Sequence, residues 1–210
     1  MIARVRAAID TADLEALRSL IAAEPELAEA DVHFGEGGKN RVPPLHYVCD
    51  AAFEGKLDQG QALELADALL AAGVDPERAY AKSGDTFLIA AASLGVESVA
   101  LRLVERGVDV TGRGLFGATA LHWAAHMGLA RLVEALIAAG ADLDQRDDRY
   151  EGTPLHWALH GWTEHRASQR DRVPAAVRAL LRGGARLPAD ICNGLGPGDD
   201  ELRRALTEPV

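Results

Sequence analysis

The strongest capacity for chemistry in this chain lies in its seven histidines, four of which fall into two pairs. His122 and His126 are four residues apart, as are His156 and His160, so each pair shares a helix face at metal-ligand spacing. Glutamate stands next to neither pair, so the His-Glu-x-x-His pattern of metalloproteases is absent. The remaining metal reading is a zinc site drawn from His126, His160 and His165 on neighbouring helices. Other catalytic patterns fail. There is no Gly-x-Ser-x-Gly elbow and no Gly-Lys-Ser/Thr to finish a phosphate loop. The glycine cluster between Gly194 and Gly198 precedes a helix, but Asp199, Asp200 and Glu201 would repel a phosphate there. Cys49 lies between Val48 and Asp50, an apolar and acidic setting that does nothing to lower a thiol pKa. Asp142, Asp144, Asp147 and Asp148 lack the glycine and terminal glutamate of a calcium loop. These residues argue against an enzyme, with no cofactor and no bound metal as the leading expectation.

The elements that carry the histidines repeat. Gly152-Thr153-Pro154-Leu155-His156-Trp157-Ala158 has an earlier copy in Gly117-Ala118-Thr119-Ala120-Leu121-His122-Trp123-Ala124, and weaker ones at Gly84 to Ala91 and Val42 to Val48. The threonines Thr86, Thr119 and Thr153 are spaced 33 and then 34 residues apart. A second marker follows in phase at Gly73-Val74-Asp75, Gly107-Val108-Asp109, Gly140-Ala141-Asp142 and Gly184-Ala185-Arg186. Threonine at a helix start can cap an unsatisfied backbone N–H, and proline just inside it lacks only a donor that had no partner. Leu132, Val133, Leu136 and Ile137 recur at helical spacing in the second helix of a repeat. Glycine then ends that helix in the left-handed conformation.

The chain thereby resembles the ankyrin repeat family, whose Thr-Pro-Leu-His signature and 33-residue period these copies match. The resemblance implies an all-α solenoid of about five helix-turn-helix repeats, with short inter-repeat turns and a C-terminal capping helix. Its expected parts are a capping repeat at 1–31, repeats at 42–78, 84–110, 117–143 and 152–187, and a cap at 194–210, in one domain. It also implies that His46, His122 and His156 bond within their own repeat and to its neighbour, which withdraws one member of each histidine pair from metal binding. The glycine-rich stretch from Val32 to Arg41 is expected to be an exposed loop.

Two repeats are long. From the signature position to the helix-ending glycine the third and fourth repeats span 18 residues, the second 27 and the fifth 28. The extra residues fall near Ala52 to Gly60 and Trp162 to Asp171. Other departures bear on stability. Ile89 replaces the signature histidine, Phe87 its proline, and Pro43 the threonine of the second repeat. The second and third repeats are therefore expected to be the less stable ones.

Composition limits the partners. The net charge is −10, with 9 basic and 18 acidic residues up to residue 105 and 13 and 14 thereafter. Such a surface disfavours nucleic acid and anionic membrane. No 18-residue apolar run is present for a membrane span, and charges interrupt the N-terminus where a signal peptide would be apolar. Cys49 and Cys192 are far apart in sequence and are expected to be reduced. A cytoplasmic monomer is the expectation, and 19 arginines against 3 lysines fit a GC-rich bacterial genome.

The resemblance also places the partner-binding positions at the inter-repeat turn tips and the exposed ends of the first helices. Carried over, the turn positions are Leu115, Phe116, Ala118, Arg149, Tyr150 and Gly152. The helix positions are Asp50, Ala51, Ser93, Leu94, His126, Met127, His160 and Gly161. Leu115, Phe116, His126, Met127, Tyr150, His160 and Trp162 form the candidate face, because aromatics and methionine are enriched at interface centres. Trp123 and Trp157 are expected in the core. The leading reading is a non-enzymatic adaptor that binds a protein partner on a concave face. A regulatory or inhibitory subunit of a separately encoded enzyme is the alternative, and the histidine metal site is third.

Overall fold

The computed structural model describes residues 1–164, 171–187 and 198–207. His165, Cys192, the turn at Gly194 to Pro197 and residues 165–170 of the second insert lie outside the described residues. The chain forms two compact units, Met1–Val108 and Asp109–Val210.

The first unit opens with α1 (Ile2–Asp10) and α2 (Leu14–Ala23). Asp13 starts α2 by accepting the Ala16 N–H at 2.9 Å. A short 3-10 turn over Pro25–Ala28 follows. The stretch expected to be a loop is instead a two-stranded antiparallel hairpin, β1 (Val32–Phe34) with β2 (Asn40–Val42). The reason is the alternation of its side chains: Val32, Phe34 and Val42 are buried while His33 and Arg41 face outward. Only the glycine-rich connection is a loop, with Gly35, Gly37 and Gly38 all at positive φ.

Two helix pairs complete this unit: α3 (Pro44–Phe53) with α4 (Gln59–Ala71), and α5 (Phe87–Ser93) with α6 (Glu97–Glu105). The extra residues of the second repeat mostly extend its helices. α3 has 10 residues against 7 in α5, and α4 has 13 against 9 in α6. Asp58 and Gln61 cap α4 reciprocally. α4 and α6 are tied by a two-pronged contact between Arg102 and Asp67, at 2.6 and 2.7 Å. Polar groups also join the cap to the second repeat: the Tyr47 hydroxyl donates to Asp10 at 2.6 Å and accepts from Lys56 and Arg6.

The second unit has α7 (Ala120–His126) with α8 (Ala130–Ala138), then α9 (Pro154–Glu164) with α10 (Val173–Arg182), and α11 (Asp200–Thr207) against α10. Leu132, Val133 and Leu136 are buried, as their spacing predicts. The Gly-x-Asp marker has a local cause. Glycines 73, 107 and 140 are left-handed, and the aspartate two residues later accepts a backbone N–H from two positions on, at 2.8 to 3.0 Å. No helix among the described residues is long and apolar enough to cross a membrane.

Candidate functional site

The signature histidines act as hinges between backbone segments. His122 is fully buried. Its Nδ1 accepts the Thr119 N–H at 3.1 Å and lies 2.9 Å from the Thr119 hydroxyl, while Nε2 lies 3.2 Å from the Gly152 carbonyl. An acceptor Nδ1 forces the proton onto Nε2, which donates to Gly152. Burial holds the His122 pKa below the ordinary value, opposed by that carbonyl and by Asp147. His156 repeats the arrangement with Thr153, at 3.3 and 2.8 Å. His46 keeps only the long-range half, with Nε2 3.3 Å from the Asp85 carbonyl.

With His122 joined to the Gly152 segment, the turn between α8 and α9 is held against α7. Asp147 is buried and organises this turn. Burial pushes its pKa up, but the indole N–H of Trp157 at 3.0 Å and the N–H groups of Arg149, Tyr150 and Gly152 at 2.6 to 2.9 Å hold it below the usual carboxylate range. Asp148 pairs with Arg113 at 2.6 Å, and its N–H donates to the Phe116 carbonyl at 2.7 Å. The acidic run thus satisfies its own turn.

These contacts leave a cleft of about 720 Å³ in the second unit, lined by Phe116, Trp123, His126, Tyr150, Trp157 and His160, with Arg146, Glu151, Gly152, His156 and Glu164 around them. The size falls in the range of ligand-binding clefts. Trp123 and Trp157 meet edge to face at 4.8 Å. The rings of His126 and His160 stack at 5.9 Å, and His126 Nδ1 donates to the Trp157 carbonyl at 3.3 Å. Phe116 and Tyr150 lie 6.0 Å apart, with the Arg149 guanidinium 6.0 Å from each ring. Phe116 and Glu151 hold positive φ, a conformation that side chains adopt at a cost. Gly161 is fixed by the same packing: a Cβ there would run into the His126 carbonyl.

Of the seven candidate residues, the cleft gathers Phe116, His126, Tyr150 and His160. Leu115 is exposed in the same 3-10 turn as Phe116 but does not line the cleft. Met127 is half-buried at the end of α7, also outside it. Trp162 is a correction, because it is 4% exposed and belongs to the interior. Its indole N–H donates to Asp199 at 2.8 Å, and the Asp199 carbonyl accepts the Arg203 N–H, so Trp162 anchors the start of α11. Ala51 and Ala118 are fully buried and offer no surface.

The core expectation for the tryptophans holds for Trp157, which is buried, and fails in part for Trp123, which is half-buried and lines the cleft. The signal that would have found it is spacing. Trp123 and His126 are three residues apart, as are Trp157 and His160, so each pair shares a helix face. Among the described residues no group of three or more His, Cys, Asp or Glu side chains is arranged to hold a metal. Burial and the neighbouring Asp50 push the Cys49 thiol pKa far up, which makes it an inert core residue.

Comparison with known proteins gives the same reading of the scaffold. The family described as ankyrin repeats (3 copies) matches residues 57–147 and 103–187. Among curated proteins the chain is similar to the putative palmitoyltransferase ZDHHC13 of Danio rerio, 39% identical over 72 residues, which are 34% of this chain and 11% of that protein. It is 35% identical over 77 residues to the palmitoyltransferase ZDHHC13 of Mus musculus, which are 37% of this chain and 12% of that protein. It is 38% identical over 71 residues to the palmitoyltransferase ZDHHC17 of Homo sapiens, which are 34% of this chain and 11% of that protein. The similarity thus spans about a ninth of each relative's length. With the family match covering more than half of its residues, and the signature histidines His46 and His122 reaching a carbonyl at the start of the next repeat, the chain belongs to the ankyrin repeat family.

Proposed function

We propose that this chain is a protein-binding module rather than a catalyst, and that its partner seats in the cleft between Phe116, Trp123, His126, Tyr150 and His160. The observation that carries the reading is that cleft: aromatic, open to solvent, and backed by an over-determined frame of Asp147, Trp157 and His122. Tyr150 is 65% exposed although its neighbours are firmly held, which is an unusual placement for a large ring without a partner. Rigid aromatic surface of this kind is what concentrates binding energy at interfaces. Cys49 is buried with its thiol pKa pushed far up, and Asp147 is occupied by the N–H groups of its own turn, so neither group is free to act on a ligand.

The test compares protein captured by the wild-type chain with that captured by a Phe116→Ala, Tyr150→Ala, His160→Ala variant. Leu187→Ala, at an exposed position away from the cleft, serves as the control. A partner bound by wild type and control but lost by the still-folded triple variant supports the reading. Equal capture by all three would remove it.

A further inference from the structure

We infer that the occupant of this cleft is a single basic side chain, lysine or arginine, presented by a peptide segment of a partner protein, with its stem along the aromatic rings and its charged head on the carboxylates of Glu151 and Glu164. The inference rests on the cleft being the binding site, and adds the chemistry of what it binds.

The charge of the lining sets the sign of the occupant. Glu151 and Glu164 face one guanidinium, that of Arg146, which leaves one negative charge unmatched. Arg146 is committed elsewhere, with a prong on the Glu151 backbone carbonyl at 2.7 Å. Among the described residues Glu151 makes no ion pair, and Glu164 has only His160, 3.5 Å away and charged only when protonated. The rings suit a cation as well. Phe116 and Tyr150 already hold the Arg149 guanidinium 6.0 Å from each centroid, although Arg149 does not line the cleft. The charges of Arg146 and Arg149 oppose a polybasic run, so the site has room for one cation.

The backbone at Glu151 is an independent sign. Glu151 stands two residues before Thr153, where Gly84 and Gly117 stand before Thr86 and Thr119. All three positions are left-handed, with φ of 75° at Gly84, 68° at Gly117 and 51° at Glu151. Glycine adopts that conformation freely, whereas a side chain there is strained. The fifth repeat thus carries a carboxylate to the cleft at a position where the third and fourth avoid the strain. Among the described residues no hydrogen bond or ion pair of that carboxylate offsets the strain within the fold, and uncompensated strain of this kind marks binding sites. The net charge of −10 draws basic segments toward the chain. Lysine and arginine have the apolar stem and charged tip that an aromatic cleft with carboxylates at its edge can hold.

The experiment is a random-peptide display selection on the whole chain, followed by titration of synthetic winners by tryptophan emission, to which Trp123 and Trp157 in the lining contribute. The expected winners carry one Lys or Arg. Replacing it by norleucine or citrulline should weaken binding at least tenfold. Glu151→Gln should weaken the basic peptide severalfold. Glu151→Gly, the residue of the third and fourth repeats, should weaken it as much while raising the urea midpoint, because the strained φ is relieved. Glu201→Gln, exposed and outside the cleft, is the charge control and should leave binding unchanged. Glu151 variants that bind as tightly as wild type, a control that loses as much, or a midpoint lowered by Glu151→Gly would each overturn the inference. Neutral or acidic winners that bind wild type but not the Phe116→Ala, Tyr150→Ala variant would overturn the basic assignment and leave the cleft standing. Winners indifferent to that variant, or a selection that enriches nothing, would overturn both.

Discussion

The second repeat and the fourth are built on the same device with one residue changed, and the change shows what the device needs. In the fourth repeat Thr119 offers both its N–H and its hydroxyl to Nδ1 of His122, and Nε2 then reaches the Gly152 carbonyl. In the second repeat Pro43 stands where the threonine would be and has neither group to offer. Nε2 of His46 still reaches the Asp85 carbonyl, but Nδ1 is buried with no hydrogen-bond partner. The third repeat is a further variant: Thr86 has no histidine to serve and accepts the Ile89 N–H at 3.3 Å instead. A signature histidine is thus satisfied only when threonine precedes it by three residues. An orphaned buried polar atom costs about 1–3 kcal/mol, and the signature histidine of the second repeat carries that penalty where that of the fourth does not.

Acid should expose the difference most strongly. Burial pushes the pKa of His46 down to about 4, opposed by the Asp85 carbonyl. Its stabilising contribution is fully present above the unfolded value near 6.5 and is lost as pH falls from there toward 4. At about 1.4 kcal/mol per unit this amounts to about 3 kcal/mol. Asp50 acts in the opposite sense. Burial and Glu54 push its pKa up to about 6, so it favours the fold more as pH drops through that value. Urea unfolding between pH 4 and 7 in an Asp50→Asn background should therefore show a steep acid loss that His46→Leu reduces, leaving the part that the buried His122 contributes. A slope unchanged by His46→Leu would contradict the buried neutral imidazole.

Converting one repeat into the other comes next in size. Thr119→Pro should orphan Nδ1 of His122 and cost about 2 kcal/mol, read as a shift in the urea midpoint. Pro43→Thr should do the reverse. The new hydrogen bonds to His46 outweigh the lost proline rigidity, for a gain of about 1 kcal/mol. If both substitutions destabilise, threonine is not the partner that matters. The smallest effect is local. Amides of Leu45–Phe53 should exchange severalfold faster than those of Ala120–His126, and Pro43→Thr should narrow that gap.

Much of this was legible in the sequence, because repeat periodicity and cap chemistry are local. The 33-residue spacing of Thr86 and Thr119, the left-handed glycines and the loss at Pro43 each follow from one residue and its near neighbours. The hairpin was obscured by its glycines, although the alternation of Val32 and Phe34 with polar His33 carried the signal. The site was half legible. Phe116, His126, Tyr150 and His160 follow from their positions in the repeat, but the part played by Trp123 depends on how α7 and α9 pack. Trp162 failed for the same kind of reason. Its partner Asp199 is 37 residues away, and nothing near Trp162 in the chain announces it. Arg149 owes its meaning to Phe116, more than 30 residues distant, whose ring it shares with Tyr150.

The central claim is that the aromatic cleft is where a partner sits, and hydrogen exchange of the whole chain with and without a selected peptide tests it most directly. The account predicts new protection confined to residues 115–118 and 146–161, with no change around the Ala52–Gly60 turn. Protection at that turn, with the cleft residues exchanging as before, would contradict it.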